Sequence, residues 1–485
     1  MKWYYSPISI RFVNDRENHA TSGINLILKN KDLVLLEYNL TINVIPIKSL
    51  KSFKIYISNS KFMNNDTNEI IWYQTSIDFN LPLSSTTDFL HNFKNSGFNI
   101  LPQDKLTSSL FTSIVNLSAK LQDKLDYKPL EFIETKDHLP IDVISFPFNF
   151  TTPLLFSEFK SNGFINYFIP DGYLSDIKYL ENSLGSVVTS KEGSVGLVMG
   201  NLKKFNGDGD LIIIVSWKTI WNVINNKFPN NSLVPNKLSS LMEQPPVSSH
   251  TNSVLPILVT GQTTTWGSCI IFNNQYLITN HHVIKPFLSG GSLTVYLSND
   301  QIIIKDKSSI ITPFDTLDIS MIKLSLIDQF KIMNSGNKPC KYTTDYKVDD
   351  EVSAVGYGLF FHPDYCQPIK SFGQITNIKQ LKLPEPTNAL INTSSSCWNG
   401  SSGGGLFKNE QLIGIICSNA QVKYLDLTTN IEQSEKLTKL SFILPIDVIL
   451  KIFHKELEMT KDFEDLWQLL PKHKDIIQLK LPSKL

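Results

Sequence analysis

The stretch Gly400-Ser401-Ser402-Gly403-Gly404-Gly405-Leu406-Phe407, GSSGGGLF, decides the reading of this chain. A serine that attacks a carbonyl needs backbone donors aimed at the developing oxyanion. Gly400 permits the backbone turn that brings two N–H groups inward, its own and that of Ser402. Gly403 and Gly404 allow close approach of neighbouring strands. By itself a Gly/Ser-rich loop is equally well an ordinary turn. The next residues are more telling: an apolar pair, the polar turn KNEQ and then the run LIGIICSN, which together spell a hairpin.

Working outward, ITNHHVI (278–284) supplies an imidazole directly after a strand. The spacing favours His282 as the general base and leaves His281 as its neighbour. Further on, LDISMIKL (317–324) places Asp318 at a strand start, where a carboxylate can fix the imidazole tautomer; Asp315 is the rival. The three residues come in the order His282, Asp318, Ser402. This places His and Asp in one barrel, Ser in a second, and the site between them.

The surrounding pattern is β throughout. The runs SCIIF, QYLIT, SLTVYL, DISMIKL, EVSAVGYG, SFGQITNI, ALINTS, QLIGIIC and SFILPI recur at hairpin spacing with no βαβ alternation, so an antiparallel all-β architecture is expected. Asn273-Asn274 reads as a tight turn taken through positive φ. Residues 1–235 show the same short apolar runs, and only Leu106–Leu125 has helical spacing there. Four parts are expected: a β-rich domain at 1–235, a Pro/Ser/Asn-rich linker at 236–254, the domain carrying the motifs at 255–455, and a closing helix plus tail at 456–485.

The 485 residues balance 45 Lys+Arg against 45 Asp+Glu, so charge calls for neither nucleic acid nor an anionic surface as partner. The opening MKWYYSPISIRF has no continuous apolar stretch, and neither a secretory leader nor membrane insertion is expected. Five cysteines without CxxC spacing read as free buried thiols, with no disulfide framework and no metal site.

Residues 260–450 resemble trypsin-like proteases of the chymotrypsin fold. GSSGGGL matches the nucleophile motif, TNHHV resembles the high-temperature-requirement branch, and so does FILPID. VGYGLF (355–360) and the final Ser483-Lys484-Leu485 are similar to the peroxisomal leader-peptide-processing proteases. The resemblance implies a double β-barrel and a serine endopeptidase with His282, Asp318 and Ser402 as triad and Gly400 and Ser402 N–H as oxyanion donors. It implies no cofactor. It also implies a peroxisomal matrix location, an import receptor reading the terminal tripeptide, and imported matrix enzymes as polypeptide substrates; a homo-oligomer is compatible. Ser396, Ser418 and Asn419 would line the substrate cleft.

The chain departs from the family in places. Ser401 replaces the acidic residue that secreted enzymes pair with a new N-terminus, and Ser396 stands where tryptic enzymes carry their acidic specificity residue. With fewer than about 40 residues after the barrel, a peptide-binding PDZ domain is not expected. Two other readings stay open, a catalytically silent fold that holds unfolded polypeptides and a general quality-control protease; a cysteine protease on the same fold is disfavoured, because the nucleophile position is Ser402, and Cys397 reads as a packing residue.

The first half also resembles the second. SGINLILKNKDLVLLEY (22–38) aligns without a gap on WGSCIIFNNQYLITNHH (266–282), with Gly23 on Gly267 and Tyr38 on His282. NSLGSVVTSKEGSVGLVMG (182–200) matches SSGGGLFKNEQLIGIICS (401–418) with one insertion, and DLIIIVSWKTIWNVI stands where SFILPIDVILKI stands later. A degenerate copy of the same fold is the expectation for residues 1–235.

Overall fold

The computed structural model describes residues 2–29, 36–45, 53–82 except 65, 68 and 78, 93, 97–101, 111–115, 119–227 except 136 and 205–207, and 253–468 except 299, 315, 360, 362–366 and 427–430. The chain divides into two compact units. One is Met1–Thr251 with Gln367–Phe372 and Gln421–Thr438; the other is Asn252–Cys366, Gly373–Ala420 and Lys439–Leu485. The break at 251/252 falls within the segment read as a linker. The two short excursions into the first unit have no signature in the sequence.

The first unit opens with β1 (Lys2–Val13), β2 (Asn18–Lys29), β3 (Leu36–Ile45), β4 (Lys54–Ser58), β5 (Tyr73–Thr75), β6 (Phe79–Pro82), β7 (Asn99–Leu101), β8 (Phe111–Val115) and β9 (Lys128–Leu130). Then come β10 (Pro140–Ser145), β11 (Phe159–Ile169), β12 (Gly172–Ser175), β13 (Val187–Thr189), β14 (Ser194–Lys203), β15 (Gly209–Ser216) and helix α1 (Trp217–Lys227). The second unit holds β16 (Val254–Thr260), β17 (Thr264–Ile271), β18 (Tyr276–Thr279), α2 (His281–Leu288), β19 (Ser292–Tyr296), β20 (Gln301–Ile304), β21 (Ile310–Ile311), β22 (Ser320–Lys323) and α3 (Leu326–Asn334). It continues with β23 (Glu351–Gly356), β24 (Ile369–Lys382), β25 (Pro386–Thr393), β26 (Gly405–Lys408), β27 (Gln411–Asp426), β28 (Ile431–Pro445), α4 (Ile446–Phe453) and α5 (Lys461–Gln468), except that the stretches 369–372 of β24, 421–426 of β27 and 431–438 of β28 belong to the first unit.

Strand order is the same in both units. The first sheet runs β5-β4-β1-β2-β3-β8-β6 in one and β20-β19-β16-β17-β18-β22-β21 in the other. The second sheet of the later unit is a closed barrel, β23-β24-β25-β28-β27-β26. In the earlier unit β10-β11-β12-β15-β14-β13 takes the same path, and β13 pairs with both β10 and β14. Each path then leaves its last strand for a helix, β15 into α1 and β28 into α4. Alternation sets the faces: in β20, Ile302 and Ile304 are buried while Gln301 and Ile303 face out.

Backbone hydrogen bonds fix the correspondence residue by residue. Ser22 N–H donates to Leu184 O at 2.8 Å, as Ser268 N–H does to Ser402 O at 2.8 Å. Gly185 N–H donates to Val198 O, as Gly403 N–H does to Ile416 O, and Ser183 N–H to Leu180 O, as Ser401 N–H does to Trp398 O. Ser22 Oγ donates to Asn182 O, as Ser268 Oγ does to Gly400 O. The first unit is therefore a second copy of the fold, with Leu184 in the place of Ser402 and Asn182 in that of Gly400.

This corrects both sequence alignments. The second match runs without an insertion, Asn182 on Gly400 through Gly196 on Gly414. In the first, Ser22 falls on Ser268 and not on Trp266; a slip of two keeps every side chain on its face, so apolar alternation cannot detect it. Tyr38 pairs with Leu28 inside the long β2–β3 ladder. Its strand runs on to Ile45, whereas β18 ends at Thr279 and turns into the helix that bears His282. Tyr38 is thus not at the place of His282.

Two further expectations change. The helix expected over Leu106–Leu125 is replaced by β8 at Phe111–Val115, which pairs with β3 and β6, and by one helical turn at Ala119–Gln122. FTSIV is rich in β-branched and aromatic residues, and the ladder outweighs the local spacing. Asn273 shapes its turn without positive φ: its side-chain oxygen accepts from Gln275 N–H and Tyr276 N–H, both at 2.9 Å.

Inside the first unit the excursion Gln367–Phe372 docks on β11. Phe372 stacks on Phe164 with centroids 4.5 Å apart, Asn166 Nδ2 donates to Lys370 O at 2.9 Å, and His138 lies against Phe168 and Phe372. His138 Nδ1 faces the Ile165 carbonyl at 2.8 Å. Burial holds its pKa down at about 4; Lys370 pushes the same way, and the Ile165 bond and Asp137 oppose. The folded chain keeps this imidazole neutral while an unfolded one takes a proton near pH 6.5. Stability present above pH 6.5 is therefore lost as pH falls toward 4, by about 3 kcal/mol at about 1.4 kcal/mol per pKa unit. Melting curves should show His138→Phe flattening the decline in Tm between pH 7 and pH 4. An unchanged slope would exclude His138 as its source.

Candidate active site

His282 is the second residue of α2, placed there by the end of β18. Its Nδ1 lies 2.6 Å from Asp318 Oδ2, and its own backbone N–H donates to Asp318 Oδ1 at 2.9 Å. One carboxylate thus holds both the ring and the backbone of the same residue, which fixes the imidazole's orientation and tautomer. The ring's other nitrogen has no partner among the described residues, and the side chain is half exposed. Asp318 is held in turn by Asn280, fully buried, whose Nδ2 donates to Asp318 O at 2.8 Å and approaches Cys417 Sγ at 3.4 Å. His281 faces elsewhere: its Nδ1 meets Ser320 Oγ at 3.2 Å and Thr312 Oγ1 at 3.3 Å. Asp315 lies outside the described residues.

Ser402 sits in the tight turn before β26. Its Oγ donates to Cys417 O at 3.3 Å, so the hydroxyl is turned toward β27 and makes no hydrogen bond to His282 in this arrangement. Rotation about χ1 would release it, and such contacts commonly tighten only with substrate bound. The loop around it is held from every side. Ser268 Oγ donates to Gly400 O at 2.8 Å and accepts from Tyr357 N–H at 2.8 Å, and Ser401 Oγ accepts from Trp398 N–H at 3.3 Å. Leu359 N–H donates to Asn399 O at 2.7 Å. Gly400 has φ +94°, and a Cβ there would stand 2.2 Å from Trp266 Nε1. Among the described residues the N–H groups of Gly400 and Ser402 donate to nothing in the protein, while those of Ser401, Gly403 and Gly404 are all spent. Two free donors, on the serine itself and two residues before it, are what an oxyanion requires.

The expected cleft residues have separate situations. Ser396 is buried and Ser418 is exposed. Asn419 uses its amide as a brace, donating to the Cys397 carbonyl and accepting from Ser441 Oγ at 3.3 Å. Cys397 is buried, and burial pushes its thiol up to about 12, so it is a protonated packing residue at neutral pH and not a nucleophile. Cys269, Cys340 and Cys417 are likewise free, and Cys366 lies outside the described residues. Among the described residues no cluster of His, Cys, Asp or Glu could hold a metal ion. Ser268, Asn280 and Leu359 were not singled out in the sequence; Asn280 stood inside the TNHHV motif, and Leu359 inside VGYGLF, without a reason to choose them.

Residues 267–415 match the family model of the trypsin-like peptidase domain. No curated protein matches the chain. Among solved structures, the active form of the Rv3671c protease from M. tuberculosis aligns at 16% identity over 44% of this chain and 85% of that one, with a TM-score of 0.32. The HtrA-type protease AlgW with a tripeptide aligns at 19% identity over 44% of this chain and 62% of its own, also with a TM-score of 0.32. The chain thus contains a trypsin-like peptidase domain over residues 267–415, the stretch that holds both the His–Asp pair and the serine turn, and this domain makes it a serine endopeptidase.

Proposed function

We propose that Ser402, His282 and Asp318 carry out acyl transfer on an extended polypeptide. The observation that carries this reading is the pair of unused N–H groups on Gly400 and Ser402, with an aspartate-held imidazole in the same unit. His282 takes the Ser402 proton as Oγ attacks the scissile carbonyl. The tetrahedral oxyanion rests on the two N–H groups, and the same proton passes to the leaving amine. Water then attacks the acyl-enzyme by the same route in reverse order. Asp318 stays ionised and stabilises the imidazolium. Fluorophosphonate labelling of the wild-type chain at Ser402, absent in Ser402→Ala, tests the assignment; an unlabelled wild type would favour a silent, polypeptide-holding fold.

The finer reading is removal of amino-terminal presequences from matrix enzymes imported into the peroxisome. Its support is the terminal Ser483-Lys484-Leu485, which lies outside the described residues, together with VGYGLF. Deleting the tripeptide should move the protein to the cytosol with its activity in vitro unchanged. Fluorescence imaging decides this, and retained peroxisomal signal would require another route. Incubation with a matrix enzyme bearing its presequence, then sequencing of the new N-terminus, tests the substrate class. Indiscriminate cleavage would instead favour general quality control.

A further inference from the structure

We propose that Arg11 is the receptor of a carboxylate-binding site in the first unit, and that its ligand is the C-terminal carboxylate of an apolar peptide. A guanidinium presents two edges, each able to donate a parallel pair of N–H bonds. Arg11, near the end of β1, spends one edge inside the protein. Its Nε donates to Asn149 Oδ1 at 2.6 Å and its Nη2 to the Asn149 carbonyl. Asn149 is buried, and its own amide nitrogen donates to Ser9 Oγ. The guanidinium carbon lies 3.8 Å from the centroid of the Trp72 ring and 4.7 Å from that of Phe150. The group is thus oriented by two hydrogen bonds and two rings. Its other edge, Nη1 with the second hydrogen of Nη2, has no partner among the described residues.

This half-buried cation has no counter-charge. Among the described residues no Asp or Glu forms an ion pair with it, and Glu158, from the same loop as Asn149, accepts from Ser60 Oγ instead. Burial brings its pKa down to about 10, so it stays protonated at neutral pH. A charge withdrawn from water without a partner is costly. A fixed fork with one open edge is the arrangement a carboxylate engages through two parallel bonds. A second unmet polar group lies close by. Ser157 Oγ, buried and without a partner among the described residues, lines a small cleft that shares Trp72 and Asn149 with the stack.

The second unit shows that the fold does not itself require this arginine. Ala20 lies two residues before Ser22, as Trp266 lies two before Ser268, and their cross-strand partners are Arg11 and Leu258. Where one unit has an uncharged Leu–Trp pair, the other sets a cation beside a small alanine. The chain of the ligand also has a surface to meet. The loop that carries Asn149 continues through Phe150, Leu154 and Leu155, exposed at 39%, 53% and 73%. Large apolar side chains this exposed, in the loop that the cation holds, suit an apolar chain that ends in a carboxylate. The choice of a peptide rests on Ser402 being the nucleophile, since each cut it makes leaves a new α-carboxylate on the acyl fragment.

The test uses the full chain carrying Ser402→Ala, so that no peptide is cut, and reads binding by calorimetry. The probes are acetyl-Ala-Leu-Leu with a free carboxylate, its C-terminal amide, and decanoate, a carboxylate on a lipid chain. The free acid should bind about tenfold or more tighter than the amide, and tighter than decanoate. Arg11→Gln should abolish the preference for acid over amide. Arg11→Lys should keep a few-fold of it, because an ammonium retains the charge but not the fork. Leu155→Ser leaves Arg11 in place, so it still reports should Arg11→Gln fail to fold; it should weaken acid and amide alike by a few-fold. Equal affinity for acid and amide, no binding of the acid at about 1 mM, or Leu155→Ser binding as the parent does would overturn the site. So would an acid preference that survives Arg11→Gln, the result expected of an arginine that only braces its loop. Tighter binding of decanoate would overturn the peptide as ligand. Binding is read without turnover, so failure of this site is distinct from failure of Ser402 as nucleophile, which fluorophosphonate labelling reports.

Discussion

Ser402→Ala is expected to reduce peptide hydrolysis by about 10⁴-fold or more while leaving the fold intact, because triad members act as one unit and, among the described residues, the lost hydroxyl bonds only the Cys417 carbonyl. His282→Ala should be equally severe. His281→Ala should be mild, since that ring is engaged with Ser320 and Thr312 and not with Asp318. Steady-state kinetics with near-ultraviolet circular dichroism as the control for folding checks all three. A His281→Ala chain more impaired than His282→Ala would mean that the wrong imidazole has been assigned as base.

Gly400→Ala is the second large effect, and it acts by geometry alone. A Cβ at this position would lie 2.2 Å from Trp266 Nε1 and 2.5 Å from Tyr357 O, two atoms hydrogen-bonded to each other at 3.0 Å. Neither can withdraw without breaking that bond, and φ +94° adds strain of its own. The loop should give way, and with it the Gly400 N–H. Losing one oxyanion donor should lower kcat by about 10²- to 10³-fold. Asn182, at the corresponding place of the first unit, shows that a side chain with positive φ can be housed in this fold where no Trp266 stands over it. A Gly400→Ala enzyme with wild-type kcat would rule out the Gly400 N–H as a donor.

Much of this was legible because the chemistry is local. GSSGGGLF, TNHHV and LDISMIKL each occupy a few consecutive residues, and the alternation of the strands between them marks their faces. The copy in the first half was legible as shared glycines and apolar runs. Register and reach escaped. A two-residue slip along a strand is invisible to a period-two pattern, and no motif marks how far β3 runs beyond the point where β18 ends. Leu359 escaped because its contribution is a backbone N–H, which every residue but proline has. The excursions Gln367–Phe372 and Gln421–Thr438 escaped for another reason: strands β24, β27 and β28 have ordinary compositions, and nothing in a strand's residues says which of two bodies its end will join.

Those excursions bear on how the chain is made and how it comes apart. The first unit is incomplete until residue 438 has been synthesised, so it cannot finish folding as an independent early intermediate while the rest emerges. They bear equally on a proteolytic cut in the linker read at 236–254, a segment almost wholly outside the described residues. A cut there severs the covalent link at one point only. The carboxy-terminal fragment still supplies Phe372 to stack on Phe164 and the Lys370 carbonyl to Asn166. A nicked molecule would therefore run as two bands after denaturation yet sediment as one particle under native conditions.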